Sequence, residues 1–227
     1  MNLIVIEGLD GCGKSTQISM LQEYFKKNNI ESAFLHFPRL NEGIFGELVA
    51  RFLRGEFGKN DEVNPYLVAL IYALDRFDAR NIINNWIINE KKIVILDRYV
   101  HSNIAYQCAK YNNIDDKKKL RDWIFNLEYN YFKIPRPDIS IFLDVPIKFI
   151  EQKLNNLRTG EDRLYLNGKT DIHEENMKFQ LKVRETYLWA QKYDDTIKIL
   201  NCGDNNNQIL SKEIIFEKIL KLLKLKI

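Results

Sequence analysis

The chain has 227 residues, 45% of them hydrophobic, and a formal net charge of +3. This length suits one α/β domain with a large core, and the composition excludes an intrinsically disordered chain. The small net charge gives no reason to expect nucleic-acid binding. The apolar run near the N-terminus, at 3–6, is too short for a signal peptide or a membrane span, so we expect a soluble protein. The basic, amphipathic segment 214–227 could contact a membrane, but packing against the sheet is the simpler expectation.

Three cysteines lie far apart, at Cys12, Cys108 and Cys202. Their spacing matches neither a metal site nor a secreted disulfide framework, so we expect a reducing, cytoplasmic setting. Cys12 lies at a helix start beside the predicted phosphate site, where a thiolate is favoured. We interpret Cys12 as a small residue that fills its loop, and we leave a redox role open.

Five short apolar runs, rich in Ile, Val, Leu and Phe, predict strands that are buried on both faces. They occupy 3–6, 33–37, 93–96, 139–143 and 196–200. Segments with helical spacing separate them, at 14–28, 43–54, 64–90, 101–112, 115–132, 146–157, 172–193 and 208–225. This alternation predicts a three-layer α/β sandwich in which helices cover both faces of a five-stranded parallel sheet. We expect a single domain over 1–227.

A glycine loop of the form G-x-x-x-x-G-K-S joins the first predicted strand to the first helix. Strand, loop and helix follow in the order that a phosphate-binding P-loop requires. The glycines allow backbone N–H groups to converge on phosphate oxygens, Lys14 reaches the β- and γ-phosphates, and the Ser15 hydroxyl ligates Mg²⁺. The predicted triphosphate-binding residues are Gly8, Asp10, Gly11, Cys12, Gly13, Lys14, Ser15 and Thr16.

Asp10 is unusual in a loop that binds anions. Phosphates repel its carboxylate, so we expect the side chain to point away from them and to accept a hydrogen bond from a neutral donor such as a sugar hydroxyl. The alternative is a solvated turn aspartate.

Two predicted strands end in aspartate, and either residue could help to hold Mg²⁺. Asp97 is the better candidate because Arg98 and Tyr99 follow it at the carboxyl end of a strand, where ligands bind in open α/β sheets. For Asp144 the simpler prediction is that it caps the helix after Pro146.

Two further pairings suit a nucleotide. Phe37-Pro38-Arg39 follows the second strand and combines an apolar wall with a forked cation, although an ordinary strand exit has the same pattern. Tyr72 and Arg76 share a helix face and could stack on and hydrogen-bond a base. The alternative for this pair is a core-edge tyrosine with a surface arginine.

The connection 157–171 is charged and contains two glycines, which favours an exposed, mobile lid. Its arginines, Arg158 and Arg163, could cover a triphosphate and neutralise charge during phosphoryl transfer. A solvated charged loop is the alternative.

With these residues assembled, the chain resembles the thymidylate kinases, a family of nucleoside monophosphate kinases, from Leu3 to about Trp189. The motifs that carry the resemblance are Glu7-Gly8-Leu9-Asp10 with the glycine loop, Phe37-Pro38-Arg39, 70–77, 96–102 and Arg136-Pro137-Asp138. The resemblance implies a P-loop kinase fold, ATP and dTMP as substrates, Mg²⁺ as cofactor, and a homodimer formed through helices that include 64–90.

The resemblance also implies residue roles. The implied dTMP-binding residues are Asp10, Phe37, Pro38, Arg39, Tyr72, Arg76, Arg98, Ser102, Tyr106 and Gln107. Among them, Asp10 would accept a hydrogen bond from the 3′-hydroxyl, Arg39 and Arg98 would hold the phosphate, and Tyr72 would stack on thymine. The implied catalytic residues are Lys14, Asp97, Arg98, Arg158 and Arg163, with Ser15 and, through water, Asp97 on the metal.

The glycine loop departs from some members of this family, which carry an arginine where this chain has Gly11 and Cys12. The resemblance then implies that Arg158 and Arg163 supply the missing charge. Three alternatives stay open at this point: a kinase for another nucleoside monophosphate, a deoxynucleoside kinase, and a nucleotide-binding regulator without catalysis.

Overall fold

The computed structural model describes residues 2–155 and 177–225. The strands are β1 (Leu3–Glu7), β2 (Ser32–His36), β3 (Ile93–Asp97), β4 (Ile139–Asp144) and β5 (Ile197–Asn201). The helices are α1 (Lys14–Lys27), α2 (Gly43–Leu53), α3 (Pro65–Ile88), α4 (Val100–Cys108), α5 (Ile114–Phe125), α6 (Ile147–Asn155), α7 (Met177–Ala190) and α8 (Lys212–Leu222). Each predicted strand is present, with bounds within one residue of the prediction.

The five strands form one parallel sheet in the order β2-β3-β1-β4-β5. The central strand β1 is buried throughout, and Ile4 pairs with Ile95 on one side and Ile139 on the other. Because all strands are parallel, the ends of β1, β3 and β4 lie at one edge of the sheet. The sequence places the glycine loop and Arg98 directly after two of these strands, at that same edge.

The core lies on both faces of the sheet. Alternate residues of β1 face opposite ways: Ile4 and Ile6 pack with apolar residues of α1 and α8, whereas Leu3 and Val5 pack with α3 and α5. This alternation is the expected period of a strand. The predicted three-layer α/β sandwich is therefore confirmed.

Several predicted helices have different bounds. The helix predicted at 101–112 ends at Cys108, and the helix predicted to end at 193 ends at Ala190. The helical pattern at 115–132 divides into α5 and a π-helical segment, Asn126–Tyr131. The last helix begins at Lys212 rather than 208, because Asp204 accepts hydrogen bonds within a preceding turn and the Ser211 side chain caps the helix at Ile214. Within 2–155 and 177–225, no helix has the length and apolarity needed to cross a bilayer.

Candidate active site

The glycine loop folds around its own lysine. Lys14 is buried, and its Nζ donates to the carbonyl oxygens of Gly8 and Leu9 at 3.3 and 3.2 Å. Gly11 and Gly13 adopt φ angles of 76° and 94°, in the left-handed region that glycine tolerates without strain. Ser15, at the first turn of α1, is exposed at the same helix end. The loop thus places a cation, a hydroxyl and a helix N-terminus together, as an anion site requires.

Cys12 fills space inside this loop. It is 3% exposed, and a Cβ atom on Gly8 would collide with its Sγ. Burial raises the pKa of the Cys12 thiol, although Lys14 and Arg98 act in the opposite direction. The expectation that the helix start favours a thiolate is therefore wrong, because desolvation outweighs the nearby positive charges. The loop-filling interpretation is confirmed.

Asp97 ends β3 as a buried carboxylate. Its Oδ2 lies 3.2 Å from Nδ1 of His36, the residue opposite it on β2. Burial alone would raise the pKa of Asp97, but Lys14, His36 and Arg98 together lower it below its usual range. Asp97 is therefore ionised beside the P-loop lysine. Sequence reasoning missed His36, whose only signal is its place at the exit of a predicted strand.

The second oxygen of Asp97 fits a magnesium-bound water. Its Oδ1 is buried and has no hydrogen-bond partner in the described part of the chain. In that part, no group of three or more His, Cys, Asp or Glu side chains could hold a metal. Mg²⁺ in nucleotide sites is bound by one or two protein groups, phosphates and water, so Asp97 and Ser15 are a sufficient protein contribution.

Arg98 connects the end of β3 to the P-loop. Its Nη2 donates to Asp10 Oδ1 at 2.7 Å, and its Nη1 donates to Ser102 Oγ at 3.2 Å. The Tyr106 hydroxyl donates to Asp10 Oδ2 at 3.0 Å. Burial alone would lower the pKa of Arg98, but Tyr106 and Asp10 raise it, so the guanidinium stays charged. Asp10 is thus part of a polar cluster, and the alternative of a solvated turn residue is wrong.

Glu7 forms a second polar cluster beside Arg98. It is wholly buried at the end of β1 and accepts hydrogen bonds from the backbone N–H groups of Tyr99 and Ser102, at 2.9 and 3.3 Å. Its Oε2 accepts from the hydroxyls of Ser102 and Tyr187, at 2.5 and 2.9 Å. Sequence reasoning gave Glu7 no separate role. The available signal was a carboxylate that directly follows four apolar residues.

Arg39 is attached to α3 by carboxylates. Its Nε lies 2.9 Å from Asp75 Oδ1 and its Nη2 lies 2.7 Å from Asp78 Oδ2. Burial alone would lower the pKa of Arg39, but Asp78 and Asp75 raise it. The neighbouring Phe37 ring is buried and lies 5.8 Å from the Tyr99 ring, centroid to centroid. The predicted apolar wall and forked cation are therefore both present at this strand exit.

Arg76 is buried in an ion pair. It is 2% exposed, and its Nη2 and Nε donate to the two carboxylate oxygens of Glu128 at 2.7 and 2.5 Å. The alternative of a surface arginine is wrong. Tyr72, one turn earlier on α3, packs edge-on against Phe52 with centroids 6.4 Å apart. Glu128 lies in the π-helical segment, 52 residues from its partner in sequence, and no local pattern identifies it.

Helix α4 and the turn that follows it carry buried polar groups without partners among the described residues. Both amide atoms of Gln107 and the Nζ of Lys110 are buried and make no hydrogen bond within the described ranges. Lys110 Nζ lies 5.2 Å from the centroid of the Phe52 ring. Burial lowers the pKa of Lys110 to about 8, although Asp61 acts in the opposite direction. Buried polar groups without partners are costly, and a bound ligand can satisfy them.

Two remaining predictions have different outcomes. Arg158 and Arg163, with the connection 157–171, lie outside the described residues. Asp144 does not cap α6 as expected: its two carboxylate oxygens accept from Nε and Nη2 of Arg184 at 2.6 and 2.8 Å. A bidentate arginine pair is stronger than a single backbone cap, which explains the difference.

Comparison with known proteins assigns the chain to a family. The thymidylate kinase family profile matches residues 6–214. The chain is similar to a probable thymidylate kinase of Thermococcus onnurineus, with 32% identity over 87% of this chain and 88% of the relative. It is also similar to the thymidylate kinase of Plasmodium falciparum, with 32% identity over 86% of this chain and 80% of the relative.

A solved structure shares the fold. Thymidylate kinase from Candida albicans superposes with a TM-score of 0.69 at 24% identity, covering 98% of this chain and 91% of that one. This likeness, at such low identity, concerns the fold alone. The profile match and the curated relatives establish the rest: the chain belongs to the thymidylate kinase family.

Proposed function

We propose that this chain transfers the γ-phosphoryl group of ATP to the phosphate of dTMP, giving dTDP and ADP. The observation that carries the proposal is the contact of Arg98 with Asp10 at 2.7 Å. It joins a cation at the end of β3 to the glycine loop, so that an acceptor phosphate and the γ-phosphate of ATP are brought to the same place. Transfer then depends on positioning and on charge compensation.

On the donor side, we assign ATP to the glycine loop with Lys14, Ser15 and Thr16, and we assign the metal to Ser15 and, through water, Asp97. Mg²⁺ in such a site neutralises charge on the β- and γ-phosphates. The orphan Oδ1 of Asp97 supports this assignment. The attacking oxygen of dTMP is already anionic, so no strong general base is required.

On the acceptor side, we assign the dTMP phosphate to Arg98 and Arg39 and the base to Tyr72, Arg76 and Gln107. Glu128 fixes the guanidinium plane of Arg76 through Nε and Nη2. Glu128 does not engage the Nη1 of Arg76, and we assign this atom to a thymine carbonyl. We assign the 3′-hydroxyl to Asp10, with Tyr106 against the sugar.

Three further assignments complete the proposal. Arg158 and Arg163 supply transition-state charge, since Lys14 is the only cation within the glycine loop itself. The chain forms a homodimer through α3, where Leu67, Ile82 and Ile88 are 59%, 45% and 67% exposed. The setting is the reducing cytoplasm, in keeping with three free cysteines.

The function is tested with a coupled ADP-release assay over a panel of acceptors. We expect dTMP to give the highest kcat/KM, and thymidine to give no turnover because it offers Arg98 and Arg39 no phosphate. A higher kcat/KM for thymidine or for another monophosphate would favour the kinase alternatives. Binding of both ATP and dTMP without turnover would favour a regulator.

The same assay tests the residue roles. Arg98→Ala should lower kcat/KM by about 10²- to 10³-fold, the scale seen when a group that stabilises developing charge is removed. Arg158→Ala should lower kcat more than it raises the KM for dTMP. An Arg158→Ala enzyme with normal turnover would contradict the assignment of catalytic charge to this position.

A further inference from the structure

We propose that Glu7 and Tyr187 are positioning residues that orient Arg98 through the hydroxyl of Ser102. The inference rests on the proposed role of Arg98 as a ligand of the acceptor phosphate. It assigns a function to two side chains, Glu7 and Tyr187, that lie behind the site and have no assigned contact with a substrate.

The first step is the link from β1 to α4. Tyr99 is the N-cap residue of α4 and has no side-chain cap of its own. Glu7 Oε1 accepts instead from the backbone N–H groups of Tyr99 and Ser102, two of the donors that a helix start leaves unpaired. A carboxylate at this end of a helix also interacts favourably with the helix dipole. Glu7 therefore fixes the first turn of α4 to the end of the central strand.

The second step is the direction of the Ser102 hydroxyl. Its oxygen lies 2.5 Å from Glu7 Oε2 and 2.8 Å from the Tyr187 hydroxyl. The Ser102 hydroxyl donates to Glu7 Oε2, so the serine hydrogen points toward the carboxylate. A lone pair of Ser102 Oγ is then left to accept from Arg98 Nη1 at 3.2 Å.

The third step concerns charge. Glu7 makes no ion pair among the described residues, and its four hydrogen bonds come from two backbone N–H groups and two hydroxyls. The carboxylate thus reaches the guanidinium of Arg98 only through Ser102. This arrangement fixes the orientation of Arg98 without placing a second carboxylate directly on it, in addition to Asp10.

Tyr187 is the remaining member of this cluster, and its hydroxyl can be removed by a conservative substitution. Its ring stacks on Phe142 of β4, with centroids 4.2 Å apart and an interplanar angle of 23°. Burial raises the pKa of the Tyr187 hydroxyl well above its ordinary value, and Glu7 raises it further. The hydroxyl therefore remains a donor. Tyr187→Phe keeps the ring contact and removes only this donor.

The experiment compares Tyr187→Phe, Ser102→Ala and the double variant in steady-state kinetics. We expect each single variant to raise the KM for dTMP about tenfold, the size of one lost hydrogen bond in a charged cluster, with a smaller change in kcat and none in the KM for ATP. Because both substitutions interrupt one path, the double variant should lose little more than the worse single variant. Ser102→Thr, which keeps a hydroxyl, should restore most of the dTMP affinity.

Tyr129→Phe is the matched control. Tyr129 is also buried, and its hydroxyl has no partner within the described part of the chain. Its removal should leave both KM values unchanged. Thermal unfolding of every variant separates a loss of fold from a loss of orientation.

A KM for dTMP within twofold of the parent enzyme in Tyr187→Phe would overturn the inference, and so would fully additive losses in the double variant. Either result would indicate that Glu7 and Tyr187 only stabilise the first turn of α4 and do not orient Arg98. Failure of the parent enzyme itself to phosphorylate dTMP would instead refute the proposed function, so the two failures are distinguishable.

Discussion

Glu7 and Glu128 are both wholly buried, yet the fold compensates their charges in opposite ways. Glu128 has a cation, Arg76, on both of its oxygens, whereas Glu7 has only backbone N–H groups and hydroxyls. Consecutive residues of α4 connect the two, since Ser102 donates to Glu7 and Asn103 donates to Glu128 at 3.0 Å. Glu128 pairs directly with Arg76, whereas Glu7 reaches Arg98, which is paired with Asp10, only through the Ser102 hydroxyl. The two arrangements should respond differently when the carboxylate is removed.

Glu128→Gln should have the largest effect on stability. It leaves the guanidinium of Arg76 buried without its ion-pair partner, which costs about 3–5 kcal/mol in the free energy of unfolding. Urea denaturation of the variant and the parent measures this cost. The matched control is Glu23→Gln on the exposed face of α1, where no measurable change is expected.

Replacing both Arg76 and Glu128 separates the effect of the ion pair on stability from its effect on binding. Arg76→Met combined with Glu128→Leu should recover most of the lost stability, since an apolar pair of similar volume can substitute for a buried ion pair. The double variant should nevertheless lose affinity for dTMP. Full recovery of both properties would show that Arg76 has no role in binding.

Glu7→Gln should have a smaller effect on stability, about 1–3 kcal/mol. This substitution leaves no cation unpaired. However, the glutamine NH₂ group replaces a carboxylate oxygen and then faces backbone N–H groups or hydroxyls that also donate. The same urea titration gives the comparison with Glu128→Gln. Equal losses in the two variants would contradict the distinction drawn between the two carboxylates.

Lys110→Met should change the free energy of unfolding in the opposite direction. The buried amine has a pKa of about 8, whereas an unfolded lysine titrates near 10.4. Between these values the unfolded chain binds more protons, so the stability of the parent protein should rise with pH from about 8 to 10.4. Lys110→Met should be more stable by about 3 kcal/mol at pH 7 and should lose this rise, since one pKa unit corresponds to about 1.4 kcal/mol.

The measurement is urea denaturation at a series of pH values from 7 to 10.5. Lys192→Met, at an exposed position after α7, serves as the control and should follow the parent protein. If the free energy of unfolding of the parent protein fell over this range, the ammonium group of Lys110 would have a stabilising partner, contrary to this prediction.

The sequence predicts those parts of the site that depend on contiguous residues. The order of β1, glycine loop and α1 fixes Lys14, and the direct succession of Asp97 and Arg98 fixes the acidic and cationic groups at the end of β3. Strand positions follow from apolar runs because central parallel strands are buried on both faces. These features are local, and the structure contains them where the patterns predict.

Features that depend on distant partners were missed or wrongly predicted. The pairing of Arg76 with Glu128 and that of Asp144 with Arg184 join residues 52 and 40 positions apart, and each partner alone resembles a surface charge. The π-helical segment was missed because its apolar spacing continues that of α5. Glu128, within this segment, is buried against Arg76, a partner that local sequence preference does not reveal.

The attachment of α4 at its first turn has a geometric consequence for the acceptor. From Ser102, which contacts Arg98, to Gln107, whose amide lacks a partner among the described residues, the helix rises about 7.5 Å. Because Glu7 fixes the first turn of this helix, the helix backbone sets the distance between the phosphate-binding and base-binding ends of the proposed site. The length of the acceptor would then be selected by the helix backbone, and the base by the side chains. An insertion within α4 would change the selected length without changing any side chain of the proposed site.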